Sequence, residues 1–458
     1  MNSNQSNSRP RWRQGSVLAL AAALLLTGCK GTPTKGEKEA RQQAQAVAAT
    51  YRPRAQRPVL PALTTNSGLE HFLAYAMLNQ PQVEAAYFDW AASVEGITVE
   101  RSLPDPQFTF QMDIANVVTS VMPGLMQEFV FPGKLRWRAN LAAAESQAKY
   151  YAFESAVLQT ALAVKRAYYQ LWFLDEIIRI NREMGDLLGE LERSARGRNA
   201  VGKVTLQDVY RAQIEQDRLG AEIANLEDSR NPLRAQFKAA LGLTNEQPDP
   251  PMPGRFEAAT LEPPPEQLLA TAFARHPRLK AMEADVRRAQ ASLALAYKAK
   301  VPDLSVGLMV DAQANPTLYR LPGGPATVSL PIWRDKIAAE IAGAQAGKRA
   351  AEARLTNEQI MLTVDFAMKS YDYREISRNL ALLQNQLVPK AQKSLEIARS
   401  GYLASQIDFF NLIDAERTLL EFRLSEVKER TRRELVLAEL SLLIAGVPPA
   451  NSPTNSPR

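Results

Sequence analysis

The sequence predicts a mainly α-helical chain with a small β part, built as two tandem structural repeats that each give two β-strands and a long antiparallel helical hairpin. Three observations predict this. Residues 135–196 contain no proline and are mostly Ala, Leu, Glu, Gln, Lys and Arg, which are good helix formers. At the α-helical rise that run is roughly 90 Å long, so it must pack along partners of similar length rather than fold onto a compact core. The run then meets Arg196-Gly197-Arg198-Asn199-Ala200-Val201-Gly202-Lys203, where glycine and asparagine permit the positive φ a reversal needs, and Thr205 is placed to cap a returning helix. Finally, the pattern recurs. Asn79-Gln80-Pro81 is answered by Arg275-His276-Pro277, Pro104-Asp105 by Pro302-Asp303, Phe131-Pro132 by Leu330-Pro331, Ala212 by Ala415, and Leu241-Gly242-Leu243 by Ala445-Gly446-Val447, with offsets growing from 196 to 204 as loops lengthen within one conserved order of elements.

The N-terminus reads as a targeting segment, with a basic stretch to Arg13 and an apolar run over 17–26, too short to span as a mature helix. It closes in Leu26-Thr27-Gly28-Cys29, which resembles the lipobox of bacterial lipoproteins. The resemblance implies cleavage after residue 28 and acylation of Cys29, the single cysteine of the chain. Lys30 stands where an aspartate would signal inner-membrane retention, which favours the outer membrane. Residues 29–66 carry prolines and many Gln, Lys and Arg, and read as an extended tether.

Repeat one is expected over 67–245 and repeat two over 264–447, joined by a Pro-rich linker at 246–263 and followed by an unstructured tail at 448–458. Each repeat opens with a helix, 68–101 and 265–300, stopped by Pro104 or Pro302. Strands are expected at 107–114 and 127–131, and again at 305–310 and 326–330. Pro123-Gly124, Asn315-Pro316 and Pro322-Gly323-Gly324-Pro325 read as turn signals between them. Long helices follow over 134–196 and 335–400, then reversals and return helices. Pro232 and Pro389 should disturb the first return helix and the second long helix. In the first strand Phe108, Phe110, Met112 and Ile114 alternate with Gln107, Thr109, Gln111 and Asp113, which suits lipid on one face and water on the other, although a half-buried soluble strand reads alike. Phe129, Phe131, Tyr319 and Trp333 would mark the edges of an apolar band.

Composition limits the function. The formal net charge is +6, and Arg9, Arg11 and Arg13 with no acid before residue 29 leave +3 for the remainder, too little to argue for nucleic acid. After the N-terminus no 18-residue apolar run predicts a spanning helix. A lone cysteine excludes a disulfide or a cysteine-ligated metal cluster within one chain. His71 and His276 are the only histidines. Met112, Met122, Met126 and Met309 are too scattered for a copper path, and Pro132-Gly133-Lys134 lacks the spacing of a phosphate loop. No catalytic residue, metal site or cofactor is expected.

The duplicated order of helix, strand pair, long helix, tip and return helix resembles the TolC-like outer-membrane efflux proteins over roughly 68–447. The run Gly401-Tyr402-Leu403-Ala404-Ser405-Gln406-Ile407-Asp408-Phe409-Phe410-Asn411-Leu412-Ile413-Asp414-Ala415-Glu416-Arg417 carries the most specific match, and the lipobox agrees with the lipidated branch. What the resemblance implies is a homotrimer whose four strands per chain close a twelve-stranded barrel in outer-membrane lipid and continue as a periplasmic helical tunnel. The tip would dock a periplasmic adaptor (membrane fusion) protein fed by an inner-membrane pump, making the chain a passive exit duct. A periplasmic adaptor lipoprotein, which has one hairpin rather than two, or an envelope-spanning helical scaffold is the alternative.

The resemblance also selects residues. Val201, Gly202 and Lys203, with Ala404, Ser405 and Gln406, would contact the adaptor, or else only turn the chain. Ser405 departs from the family's glycine, and Gly401 is available to take over the reversal. Asp414 matches an aspartate at the channel entrance, with Asn411 in the place of a second aspartate and Asp408 one turn before. These three, with Tyr402, would line the constriction, where a ring of carboxylates would favour cations. Equally, the acids would pair with Arg417 or Arg399 on a solvated face. Arg193, Arg196, Arg198 and Lys203 give the first tip a positive character.

Overall fold

The computed structural model describes residues 33–53, 56–114, 118–252, 256, 258, 265–309, 312–313 and 326–444. The signal segment, Cys29, the turn signals at 315–316 and 322–325, Tyr319, residues 445–447 and the tail lie outside them. Helices α1 (Lys35–Tyr51), α2 (Leu69–Asn79) and α3 (Pro81–Arg101) lead to strands β1 (Gln107–Ile114) and β2 (Val118–Phe129). They are followed by α4 (Pro132–Ala200), α5 (Leu206–Asp228) and α6 (Arg230–Ala240). The second repeat gives α7 (Pro265–Arg275), α8 (Pro277–Lys298), β3 (Leu304–Met309), β4 (Ala312–Gln313) and β5 (Ala326–Val328). It ends with α9 (Arg334–Leu382), α10 (Val388–Leu403) and α11 (Phe409–Leu443).

Proline explains most of the breaks. The expected first helices are each cut in two, because a residue before proline is driven out of the helical region. Gln80 takes φ −68, ψ 119 between α2 and α3, and His276 separates α7 from α8. Pro232 cannot donate to the carbonyl of Asp228, where α5 ends and α6 follows. Ahead of Pro389 the helix does not break. It widens into a π-helical turn over Leu383–Leu387, and the Val388 N–H reaches back to the Leu383 carbonyl.

Contacts divide the chain into two compact units. One, made of residues up to 46, 90–148 and 283–353, contains the sheet, in the order β1-β2-β3-β5 with β4 also on β2 and every pairing antiparallel. Gly124 opposite Met309 and Val121 opposite Ala312 share one register, so β4 continues the line of β3 and the sheet has four strand positions. β1 matches the expected 107–114. β2 does not match 127–131: it starts at Val118, and Pro123-Gly124 lie inside it opposite Phe110 and Thr109. On its β1 side Pro123 is paired with Phe110; on its other side the described pairing runs to β3 from Gly124 and to β4 from Val121.

Pairing and alternation put Phe108, Phe110, Leu125, Phe129, Leu304, Val306 and Val328 on one face, and all of them are exposed. Gln107, Thr109, Gln111, Glu128, Ser305 and Thr327 lie on the other face together with Met126, while Gln127, opposite Val306, lies among the apolar residues. Among the described residues β1 and β5 have no partner on their outer edges.

The expected tether is also corrected, because residues 35–51 are helical. Pro33 and Pro53 bracket this segment, and its composition favours helix. Within the first unit Glu37 is fully buried and ion-paired to Arg41 at 3.1 Å and Arg101 at 2.8 Å. A buried charge is tolerated only when paired in this way.

The second unit, residues 47–89, 149–282 and 354–458, holds both hairpin tips. In its core Phe72, Tyr168 and Phe237 cluster at ring distances of 6.0 and 5.2 Å. Beside them the Asn79 amide donates to the carbonyls of Leu241 and Gly242 at 3.0 and 3.1 Å, and the Gln80 amide to Ala239 at 3.0 Å. Gly242, at φ 73, lies so near that a Cβ there would sit 2.8 Å from the Gln80 Cα. The two motifs that mark the start and close of repeat one therefore fit together.

Candidate functional site: the two hairpin tips

The first tip ends α4 with paired backbone bonds. The Gly202 N–H donates to Asn199 O and the Lys203 N–H to Arg198 O, both at 2.9 Å, the helix-ending pattern that needs a left-handed residue. Gly202 supplies it with φ 71. The Asn199 amide ties to Val204 O at 2.8 Å. Thr205 then caps α5, its N–H and hydroxyl donating to Asp208 at 3.2 and 3.0 Å.

The second tip repeats this pattern 203 residues later. The Ser405 N–H donates to Tyr402 O at 3.0 Å and the Gln406 N–H to Gly401 O at 2.8 Å. Ser405 itself is left-handed at φ 61, the one described non-glycine with a positive φ. Gly401 therefore does not take over the reversal. It stays helical, and the Ile407 side chain lies 2.6 Å from the point its Cβ would occupy, so the glycine there serves close packing.

Arg198 joins the two tips. Its guanidinium donates to the Tyr402 carbonyl and to the Ser405 hydroxyl and lies 4.6 Å from the centre of the Tyr402 ring. The sequence marked Arg198 only as part of a basic cluster. The structure uses it as a clamp, and Arg196 is likewise engaged, with Glu192.

The candidate entrance residues separate. Tyr402 is 3 % exposed and packs on Phe409 at 5.5 Å, so in this chain it belongs to the hairpin core and lines no surface. Burial pushes its hydroxyl upward in pKa, against the opposing effect of Arg198. Asp408 is not on a helix face with the others. It is the N-cap of α11, accepting from the Asn411 N–H at 2.9 Å. Asn411 and Asp414 are exposed. The rival reading, pairing with Arg417 or Arg399, also finds those cations engaged elsewhere: Arg417 bonds to Glu215 and Arg399 to Glu190 at 2.9 Å.

One group escaped the sequence reading. Glu416 is 3 % exposed, its Oε2 has no hydrogen-bond partner, and burial, helped by Glu215 and opposed by Arg417, raises its carboxyl to about 8. It is protonated at neutral pH. No spacing rule marks a carboxyl whose burial depends on helices distant in sequence.

Val201, Gly202, Lys203, Ala404, Ser405 and Gln406 are all exposed. Around them Leu206, Tyr210 and Ile214 expose one stripe of α5, and Leu403 and Phe410 lie open at the second tip. The tips thus offer apolar and basic surface on a fixed backbone.

The family description "Outer membrane efflux protein" matches residues 73–243 and 268–446. The chain is 23% identical over 359 residues to the cobalt-zinc-cadmium resistance protein CzcC of Cupriavidus metallidurans, covering 78% of this chain and 84% of that one. Its fold is similar to that of the outer membrane protein VceC of Vibrio cholerae, with TM-score 0.70, 17% identity, and coverage of 82% of this chain and 96% of the other. It is also similar to the CmeC outer membrane channel of Campylobacter jejuni, with TM-score 0.71, 15% identity, and coverage of 84% and 88%. The two matched segments coincide with the two repeats and together cover most of the sequence, and the chain belongs to the outer membrane efflux protein family.

Proposed function

We propose that this chain is the outer-membrane exit duct of a tripartite export system, conducting cargo passively from a periplasmic adaptor and an inner-membrane pump to the exterior. The observation that carries this reading is the sheet. Its mainly apolar face is exposed, its opposite face is mainly polar, and its edges β1 and β5 are unpartnered among the described residues. Lipid does not tolerate open edges. Three copies joined edge to edge would close twelve strand positions into a barrel with lipid outside and water within. Acylation at Cys29 would anchor each copy to the membrane. The six exposed tip residues would meet the adaptor, and Asp414 with Asn411 would lie at the entrance, where carboxylates repeated by the trimer axis favour cations. That bias, and the name of the CzcC relative, support divalent metal cations as the cargo class.

The test is electrical. Purified full-length protein added to a planar bilayer should give discrete conductance steps with a mass corresponding to three chains. Asp414→Ala should weaken the preference for cations over anions. A monomer without conductance would overturn the duct.

A further inference from the structure

We propose that the junction between the sheet and α9 binds an anionic glycerophospholipid, with its phosphate held by Lys300 and Arg334. The inference rests on the reading that the sheet stands in a membrane. Within the first unit the end of α8 and the start of α9 enclose a groove of about 560 Å³. Lys300, Pro331 and Arg334 line it near the strand end, Ile337 and Ile341 form its apolar wall, and the Tyr297 hydroxyl accepts from the Gln345 amide at 3.0 Å.

Three features point to a lipid headgroup. First, neither Lys300 nor Arg334 makes an ion pair or hydrogen bond among the described residues. Two other cations of the region are engaged: Lys336 pairs with Glu340 at 3.9 Å, and Lys134, at the matching junction of the first repeat, is held by Asp303 at 2.6 Å and Val301 O at 2.7 Å. Among the described residues Lys300 and Arg334 thus have no partner, whereas Lys134 is held internally. Second, Leu330, Ile332 and Trp333 directly precede Arg334 and are exposed, Trp333 by 72%. An aromatic beside two cations is the chemistry of a membrane boundary, with the ring among the glycerol groups and the charges on phosphate. Third, the exposed apolar face of the sheet continues from these residues through Val328, Leu304 and Val306, giving acyl chains a surface to lie on. A soluble phosphate ester would use only the cations and leave that surface unexplained.

The test uses full-length protein in nanodiscs of phosphatidylethanolamine containing a minor fraction of either phosphatidylglycerol or phosphatidylcholine. Lipid retained after detergent extraction is counted by native mass spectrometry. The wild type should retain phosphatidylglycerol in preference. Lys300→Gln or Arg334→Gln should each weaken that preference roughly fivefold, and the pair about twenty-five-fold, whereas Lys336→Gln should leave it unchanged. Glycerol 3-phosphate should not compete. Equal retention of both lipids by the wild type, an undiminished preference in the inserted double variant, or displacement by glycerol 3-phosphate would overturn the site while leaving the membrane reading intact. Failure of the wild type to insert into any bilayer would overturn both.

Discussion

The two hairpin tips share one backbone and almost no chemistry. Counting 203 residues forward, Arg198 becomes Gly401, Asn199 becomes Tyr402, Gly202 becomes Ser405, Thr205 becomes Asp408, Asp208 becomes Asn411 and Gln213 becomes Glu416. The helix-ending hydrogen bonds and the left-handed residue are nevertheless the same in both. The first tip takes its turn from glycine. The second makes serine adopt the same conformation and fastens it with an arginine from the first. A duplicated backbone can therefore keep its geometry while its side chains diverge, provided each lost local preference is replaced by a contact.

The largest expected effect comes from making the second hairpin resemble the first at its core. Glu416 stands where the first hairpin has Gln213, which donates to Glu192 at 3.0 Å. With a carboxyl raised to about 8 from an ordinary 4.5, the folded chain keeps a proton that the unfolded chain gives up. Stability from this group is complete below the unfolded value and is lost as pH rises from about 4.5 toward 8, by on the order of a few kcal/mol. Glu416→Gln should flatten that slope. The measurement is the melting temperature at pH 5 and pH 8, falling clearly in the wild type and much less in the variant.

Next is the clamp. Arg198→Ala removes charged hydrogen bonds to Tyr402 and Ser405 together with the ring contact, a loss of about 2–3 kcal/mol. Denaturant unfolding should show it, and a double-mutant cycle with Ser405→Gly should show coupling between the two sites. Gly202→Ala is smaller, about 1 kcal/mol, because nothing lies within 4 Å of the new methyl and only the left-handed backbone resists it. Smallest is Ser405→Gly, within roughly 0.5 kcal/mol, since relief of the backbone offsets the lost hydroxyl contact. If Ser405→Gly proved as costly as Arg198→Ala, the serine would be more than a substitute for glycine.

Much of this architecture is legible in the sequence, for physical reasons. A proline-free run such as 135–196 admits little besides helix, alternation fixes β1, and Pro81, Pro232, Pro277 and Pro389 each leave a mark where the backbone must lose a hydrogen bond. What escapes are features settled by distant partners. Pro123-Gly124 has the local chemistry of a turn, yet pairing with Phe110 and Thr109 of β1 carries the strand through it. The helix at Lys35–Tyr51 is held partly by Arg101, which lies far along the chain. Tyr402 and Glu416 occur in the most recognisable run of the sequence, but whether each faces water or the core depends on helix packing that no local pattern records. At the candidate site Gly202 is readable as the turning residue of the first tip, whereas the left-handed Ser405 of the second tip and the Arg198 clamp are not.

The account stands most directly on which face of the sheet meets lipid. Single cysteines at Phe110 and Thr109, spin-labelled in the otherwise wild-type chain with Cys29 acylated, can be compared in bilayers by collision with oxygen and with a water-soluble nickel complex. The label at 110 should respond mainly to oxygen and that at 109 mainly to nickel. Equal access of nickel to both positions would contradict a sheet that forms the wall of an outer-membrane duct.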